Sequence, residues 1–160
     1  MLIKNIIAED FVNYKLPSMF IVSAVCDFKC CKEAGIDVSV CLKAPLVSEK
    51  TIDIPDKDIY KMFTHNPISK AVVIGGLEPF LQFDEVDNLI SYFRRRGSMC
   101  DFVIYTGYYP EEIIDQIGIL SKHKRIFVKF GRYLPNDKPV YDEVLGVMLA
   151  SHNQFAKRIS

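Results

Sequence analysis

The sequence predicts an α/β domain built on a mostly parallel sheet. Three observations carry this reading. Apolar runs of strand length recur along the chain, amphipathic helical patterns fall between them, and each run ends in a glycine or cysteine. A strand covered on both faces reads as a continuous apolar stretch because helices pack on each side of a parallel sheet. Strand–helix alternation of this kind implies right-handed crossovers. The 160 residues are read as one domain spanning 1–160, long enough to bury roughly 70% of the surface the unfolded chain exposes.

The first run is "SMFIVSAV", Ser18 to Val25, part β-branched and bounded by Cys26. "DIPDKDIYKMFTHN" follows as a helix, with Pro55 suited to its first turn and Ile59, Met62 and Phe63 on one face. "KAVVIGG" is the second strand. In "FDEVDNLISYFRRRG" the stripe Val86, Leu89, Ile90 and Phe93 predicts a helix with Asp84 as N-cap and Gly97 as stop. The arginines Arg94 to Arg96 suit the negative end of that helix and read as a solvated terminus. "CDFVIYTG" is the third strand, and "YPEEIIDQIGILSKHK" a helix packing through Ile113, Ile114, Ile117 and Leu120. Gly118 weakens it by about 1 kcal/mol relative to alanine. "RIFVKFG" is the fourth strand. Beyond it "LPNDKP" is a turn, "VLGVMLA" a short strand and "SHNQFAKRI" a terminal helical turn.

Lysine plus arginine equals aspartate plus glutamate, so the net charge is zero. A nucleic-acid partner bound through broad phosphate neutralisation needs a basic surface, and none is expected here. The opening "MLIKNIIAEDFVNYK" interrupts its apolar residues with charge too often for a signal-peptide core. No run approaches the ~20 apolar residues of a membrane span. A cytoplasmic location is the expectation, with no membrane and no nucleic acid among the partners. In a reducing compartment clustered thiols point to metal or redox chemistry before disulfides.

Four of the five cysteines fall in "CDFKCCKEAGIDVSVC", residues 26 to 41. Thiolates hold zinc or iron–sulfur clusters because both metals favour sulfur. The spacing is C-x3-C, an adjacent Cys31, then Cys41. Side chains of neighbours diverge, so the economical ligand set is Cys26, Cys30 and Cys41, with Cys31 as the alternative third ligand. Three thiolates on a four-iron cube leave one iron open for chemistry. Cys100, at a strand start, is a core thiol. His65, His123 and His152 show no metal spacing.

Ligands of parallel α/β domains bind beyond the carboxyl ends of the strands. The cysteine loop, "GGLEP", "YTGYY" and "FGR" all fall there. Gly75 and Gly76 allow close backbone approach, and Glu78 offers a carboxylate. Tyr105, Thr106 and Gly107 line a ligand or pack. Arg132 pairs with a carboxylate, a partner surface or a structural acid.

At these residues the sequence resembles radical SAM enzymes, and among them the activating proteins of anaerobic ribonucleoside-triphosphate reductases. "DFVNYKLPSMFIVSAVCDFKC" is similar to the family's opening, "GGLEP" to its "GGEP" or "GGDP" motif, "VIYTGYYPEEI" to its "YTGY" strand end, and "VKFGRY…LASHNQFAKRI" to its "DGRF…SSNQR" ending. The resemblance implies a short, incomplete (β/α) barrel, a 4Fe–4S cluster and S-adenosyl-L-methionine as cofactors. It implies an oxidoreductase that releases a 5′-deoxyadenosyl radical to install a glycyl radical on the large reductase subunit. Gly75, Gly76 and Glu78 would meet the methionine end, with Glu78 on its ammonium group, and Tyr105, Thr106 and Gly107 the adenosine end. No catalytic residue beyond the cluster ligands is implied, and a flavodoxin or ferredoxin would supply electrons. Two departures stand out. Glu33 occupies the position of the family's third cysteine, and Leu77 is lodged between Gly76 and Glu78. Alternatives are radical chemistry on another glycyl radical enzyme or small molecule, and a non-catalytic metal-binding module.

Overall fold

A computed structural model describes residues 1–160. In chain order it contains β1 (Leu2–Asp10), β2 (Ser18–Ser23), α1 (Lys29–Ala34), α2 (Ala44–Ser48), β3 (Ile52–Asp53), α3 (Asp56–His65) and β4 (Ala71–Gly75). There follow α4 (Phe83–Arg95), β5 (Asp101–Tyr105), α5 (Ile114–Leu120), β6 (Ile126–Phe130), β7 (Val140–Asp142), β8 (Val147–Leu149) and β9 (Phe155–Arg158). Seven strands form one sheet in the order β3-β1-β2-β4-β5-β6-β9, and β7 and β8 form a separate hairpin. The four apolar runs are its parallel centre, β2, β4, β5 and β6. The flanking β1, β3 and β9 pair antiparallel. The sheet is therefore α/β and open, with β3 and β9 at opposite edges.

Alternation across the pleat divides the core in two. Met19, Ile21, Val72, Ile74, Phe102, Ile104, Ile126 and Val128 face one side and meet Ile59, Phe63, Val86, Leu89, Ile90, Phe93 and Leu120 from α3, α4 and α5. Phe20, Val22, Val73, Val103 and Phe127 face the other and meet Tyr14, Leu145 and Leu149. Helices thus do not cover both faces as expected. The second face is closed mainly by the segment after β1 and by the β7–β8 hairpin, with Leu46 of α2 beside them. Burial on both faces, whatever covers them, is what makes the central runs continuously apolar.

The helical patterns hold with local corrections. All four residues of the α4 stripe are buried, while Met62 of α3 is 46% exposed and Ile114 68%. A 3-10 turn over Pro110–Glu112 delays α5, so that Ile113, Ile117 and Leu120 set its face. Gln82 precedes α4 at the N-cap, with Asp84 inside its first turn, and Pro55 sits one position ahead of α3. Arg94 is not free in solvent: its guanidinium donates to the carbonyls of Ser98, Cys100 and Lys124. The terminal "SHNQFAKRI" holds a strand, β9, and not a helical turn, because its backbone completes the free edge of β6 through pairs such as Phe130 with Phe155.

β1 carries a buried charge with a structural task. Lys4, 8% exposed, donates through Nζ to Val47 O at 2.9 Å, Glu49 O at 2.6 Å and Thr51 Oγ1 at 3.0 Å. These bonds fasten the far end of the cysteine-bearing segment to the sheet. No helix is long and apolar enough to cross a membrane.

Candidate metal and cofactor site

The cysteine loop begins where β2 ends. Phe28 adopts a left-handed φ of 54° ahead of α1 and donates its N–H to Cys26 Sγ at 3.4 Å. That conformation is costly for a bulky residue and makes the sharp turn that starts the helix. α1 then separates Cys30 from the buried Cys31 around its axis. Gly35, at φ 63°, ends it, with Ile36 N–H bonded to Cys31 O at 3.1 Å. Asp37 caps a 3-10 turn through Ser39 N–H at 2.8 Å, and the chain returns at Cys41.

All four thiols of this loop line one cavity of about 450 Å³, on the sheet face opposite α3, α4 and α5. Burial pushes the Cys26 thiol up to about 11 and raises those of Cys30 and Cys31 as well. Metal binding there must displace these protons. No three His, Cys, Asp or Glu side chains are gathered tightly enough for a single metal ion. A four-iron cube takes each thiolate on a different iron and so accepts donors spread around a cavity wall. Cys100 lies apart, packed against the helix-side core.

Gly76, Tyr105, Thr106 and Gly107 share that cavity with the cysteines. Gly76 has φ +81°, and a Cβ there would come within 2.8 Å of Val22 Cγ1. Gly107 is the more telling glycine, because its missing Cβ would lie 2.8 Å from Cys30 Sγ. Gly75 stands behind the wall, where a Cβ would strike Tyr105 Cβ at 2.9 Å. Tyr105 donates its hydroxyl to Asn13 O at 2.6 Å.

Glu78 turns inward. Its Oε1 accepts from Phe80 N–H at 3.1 Å and Thr106 Oγ1 at 2.8 Å, and its Oε2 from Gly107 N–H at 2.9 Å. It is 6% exposed and is not part of the cavity wall. Burial pushes its carboxyl up to about 7, against the opposing pull of the three hydrogen bonds. Leu77 is accommodated by burial beside it.

Arg132, 3% exposed, is a structural ion pair that belongs to the site's frame. It forks onto Glu33 through Nε at 2.9 Å and Nη2 at 3.0 Å, reaches Glu112 at 2.6 Å, and donates to Gly107 O. Glu33 therefore faces an arginine. Tyr108 adds a bond from its hydroxyl to Asp27 at 2.8 Å. Asn153 donates to Tyr109 OH and Arg132 O, both at 3.0 Å, and Gln154 reaches the cavity wall. His65, His123 and His152 each contact a helix carbonyl or one aspartate and stand away from the cavity.

The site also contains a residue the sequence reading passed over. Lys129 lies within β6 at 6% exposure, paired in register with Tyr105, and lines the cavity. Burial draws its ammonium down to about 8. A lysine in the middle of an otherwise apolar buried strand was the available signal.

A family model described as a 4Fe-4S single cluster domain matches residues 19–141, from within β2 to within β7. The chain belongs to the 4Fe-4S single cluster domain family. No curated protein matches it. The residues present suit the family's cluster: four soft sulfur donors line one cavity, and Gly107 leaves room beside one of them. The matched span contains the whole cysteine loop, both glycine turns and Lys129.

Proposed function

We propose that this 4Fe–4S domain is an S-adenosylmethionine-dependent activase that installs a glycyl radical on a large anaerobic ribonucleotide reductase subunit. The observation that carries this reading is the shared cavity, where the cysteine loop meets Gly76 and the Tyr105–Gly107 turn at the carboxyl edge of the parallel strands. When bound and reduced, the cluster and S-adenosylmethionine would supply a 5′-deoxyadenosyl radical able to abstract hydrogen from a glycine.

The chain's own residues hold and orient. Cys26, Cys30 and Cys41 supply the thiolates, with Cys31, the most buried of the four, as the alternative third ligand. Gly76 and Gly107 let backbone approach the cofactors, and Tyr105 and Thr106 border the adenosine end. Glu78 acts through the Gly107 and Thr106 donors it anchors. Phe20, Val22 and Tyr105 keep the wall apolar and exclude water. The open sheet serves as the incomplete barrel of this chemistry, leaving a side by which a polypeptide segment enters. A flavodoxin or ferredoxin is the proposed electron donor.

One observation favours a cluster-bearing module without radical chemistry: Glu78 is committed to protein donors and not to the cavity. A single assay separates the readings. The chain is reconstituted anaerobically with iron and sulfide, reduced and given S-adenosylmethionine, beside Cys41→Ala and Cys31→Ala. The proposal expects 5′-deoxyadenosine from the parent and from Cys31→Ala, and none from Cys41→Ala. The reverse pattern exchanges the third ligand. A parent holding its full cluster but making no product sinks the activase reading in favour of the module. Pull-down with the reductase then separates it from radical chemistry on another substrate.

A further inference from the structure

Lys129 is a cation without an anion. Its Nζ makes one hydrogen bond, to Gly131 O at 3.1 Å, and no carboxylate lies within ion-pairing distance. An ammonium group has three protons to donate, so two remain without a partner in the chain. Burying a charge in that condition is expensive, and folded proteins ordinarily match or solvate it. The strand gives no packing reason for lysine. Phe127, two positions back on the same face, fills its place with an apolar ring.

The cavity is what the unpaired ammonium faces. Of its two lysines, Lys43 is exposed and Lys129 is buried, and Arg132 is already occupied by Glu33 and Glu112. Cys30 lines the same cavity, and its thiol and the Glu78 carboxyl are the acids whose charge acts on the Lys129 ammonium. An iron–sulfur cube held by thiolates has a net negative charge that grows by one unit on reduction. A fixed positive charge beside it stabilises the reduced form more than the oxidised one, most strongly where water is excluded.

We propose that Lys129 is the counter-charge of the cluster and raises its reduction potential. This rests on the cluster reading of the cavity, and the experiment keeps the two apart. The parent, Lys129→Met, Lys129→Gln and Lys129→Arg are reconstituted. Iron content and circular dichroism are recorded, and each is titrated reductively with the cluster followed by electron paramagnetic resonance, without S-adenosylmethionine. Met and Gln are expected to move the midpoint to more negative potential, beyond the spread of replicates, while Arg keeps it near the parent's. Loss of the cluster from the folded Met and Gln proteins with retention in Arg supports the same conclusion, since the thiolates would then need the charge to hold iron.

An unchanged midpoint in fully loaded Met and Gln proteins overturns the proposal. If S-adenosylmethionine affinity falls in those same proteins, Lys129 belongs instead to that ligand's carboxylate. Loss of the cluster from all three variants assigns the residue to shape and also overturns it. A parent that binds no iron defeats the cluster reading itself, and is recognised as such before any variant is compared.

Discussion

Two buried carboxylates stand at opposite ends of the parallel strands and keep different company. At the amino end Asp101, 4% exposed, accepts from Tyr14 OH at 3.0 Å and from Arg125 Nε at 2.7 Å. Its charge meets a cation, and the three side chains staple the segment after β1 to β5 and to the chain entering β6. At the carboxyl end Glu78 is almost equally buried but receives three donors that are all neutral. The same chemical group is a finished structural joint in one place and an unbalanced one in the other. Near the cavity Glu78 lacks a cation and Lys129, in its wall, lacks an anion, whereas Asp101 is matched by Arg125. Perturbed groups of this kind concentrate where a site must hold or move charge.

The largest effect that would break this comparison is the pH dependence of Glu78. Its folded carboxyl titrates near 7, above the ordinary 4.5. The native state therefore retains a proton that the unfolded chain has released. The contribution of this proton to stability is full below the ordinary carboxylate range, falls as pH rises towards 7, and is lost above it. The shift corresponds to about 3 kcal/mol. Urea denaturation of the metal-free chain at about pH 5 and about pH 8 should show that fall in the parent and lack it in Glu78→Gln. Parallel behaviour of the two would mean that Glu78 is as settled as Asp101.

Asp101→Ala should cost about 2 kcal/mol, because it leaves the buried Tyr14 hydroxyl without its acceptor and Arg125 without its acid. Iron uptake on reconstitution should equal the parent's. A fall in iron content at matched folding would show the two ends to be coupled. The smallest effect on stability, about 1 kcal/mol, is expected for Gly107→Ala. Here the consequence is local: the new methyl crowds Cys30 Sγ, so reconstituted iron should drop while the melting curve hardly moves. Undiminished iron would remove Gly107 from the list of residues that shape the site.

How far the sequence revealed this arrangement depended on whether a residue's environment is local. The four central strands and the α4 stripe were legible because burial on both faces, or on one helical stripe, writes itself directly into the run of side chains. β1 was not, since Lys4 and Asp10 are its buried charges while Ile7 is exposed, the opposite of a strand's usual signature. β9 was misread as helical because its pairing to β6 is a long-range fact that "SHNQFAKRI" does not contain. At the site, the joint placement of Cys26, Cys30, Cys31, Cys41, Gly76 and Tyr105–Gly107 around one cavity followed the strand-end rule. The inward turn of Glu78 and the grip of Arg132 on Glu33 depend on partners tens of residues away. Lys129 was in plain view but was absorbed into an apolar strand.

Between Cys26 and Lys50 only Cys31 is buried, yet the segment is tied down on either side of Gly35–Cys41, by Arg132 on Glu33 and by Lys4 on Val47 and Glu49. A surface span with fixed ends obeys polymer statistics: doubling its length costs only about 0.6 kcal/mol of closure entropy. Residues inserted between Gly35 and Cys41 are therefore nearly free in energy, provided the two anchors hold. The interval between Cys31 and Cys41 is thus one that the anchors leave free to vary in length, with the sheet beneath it undisturbed.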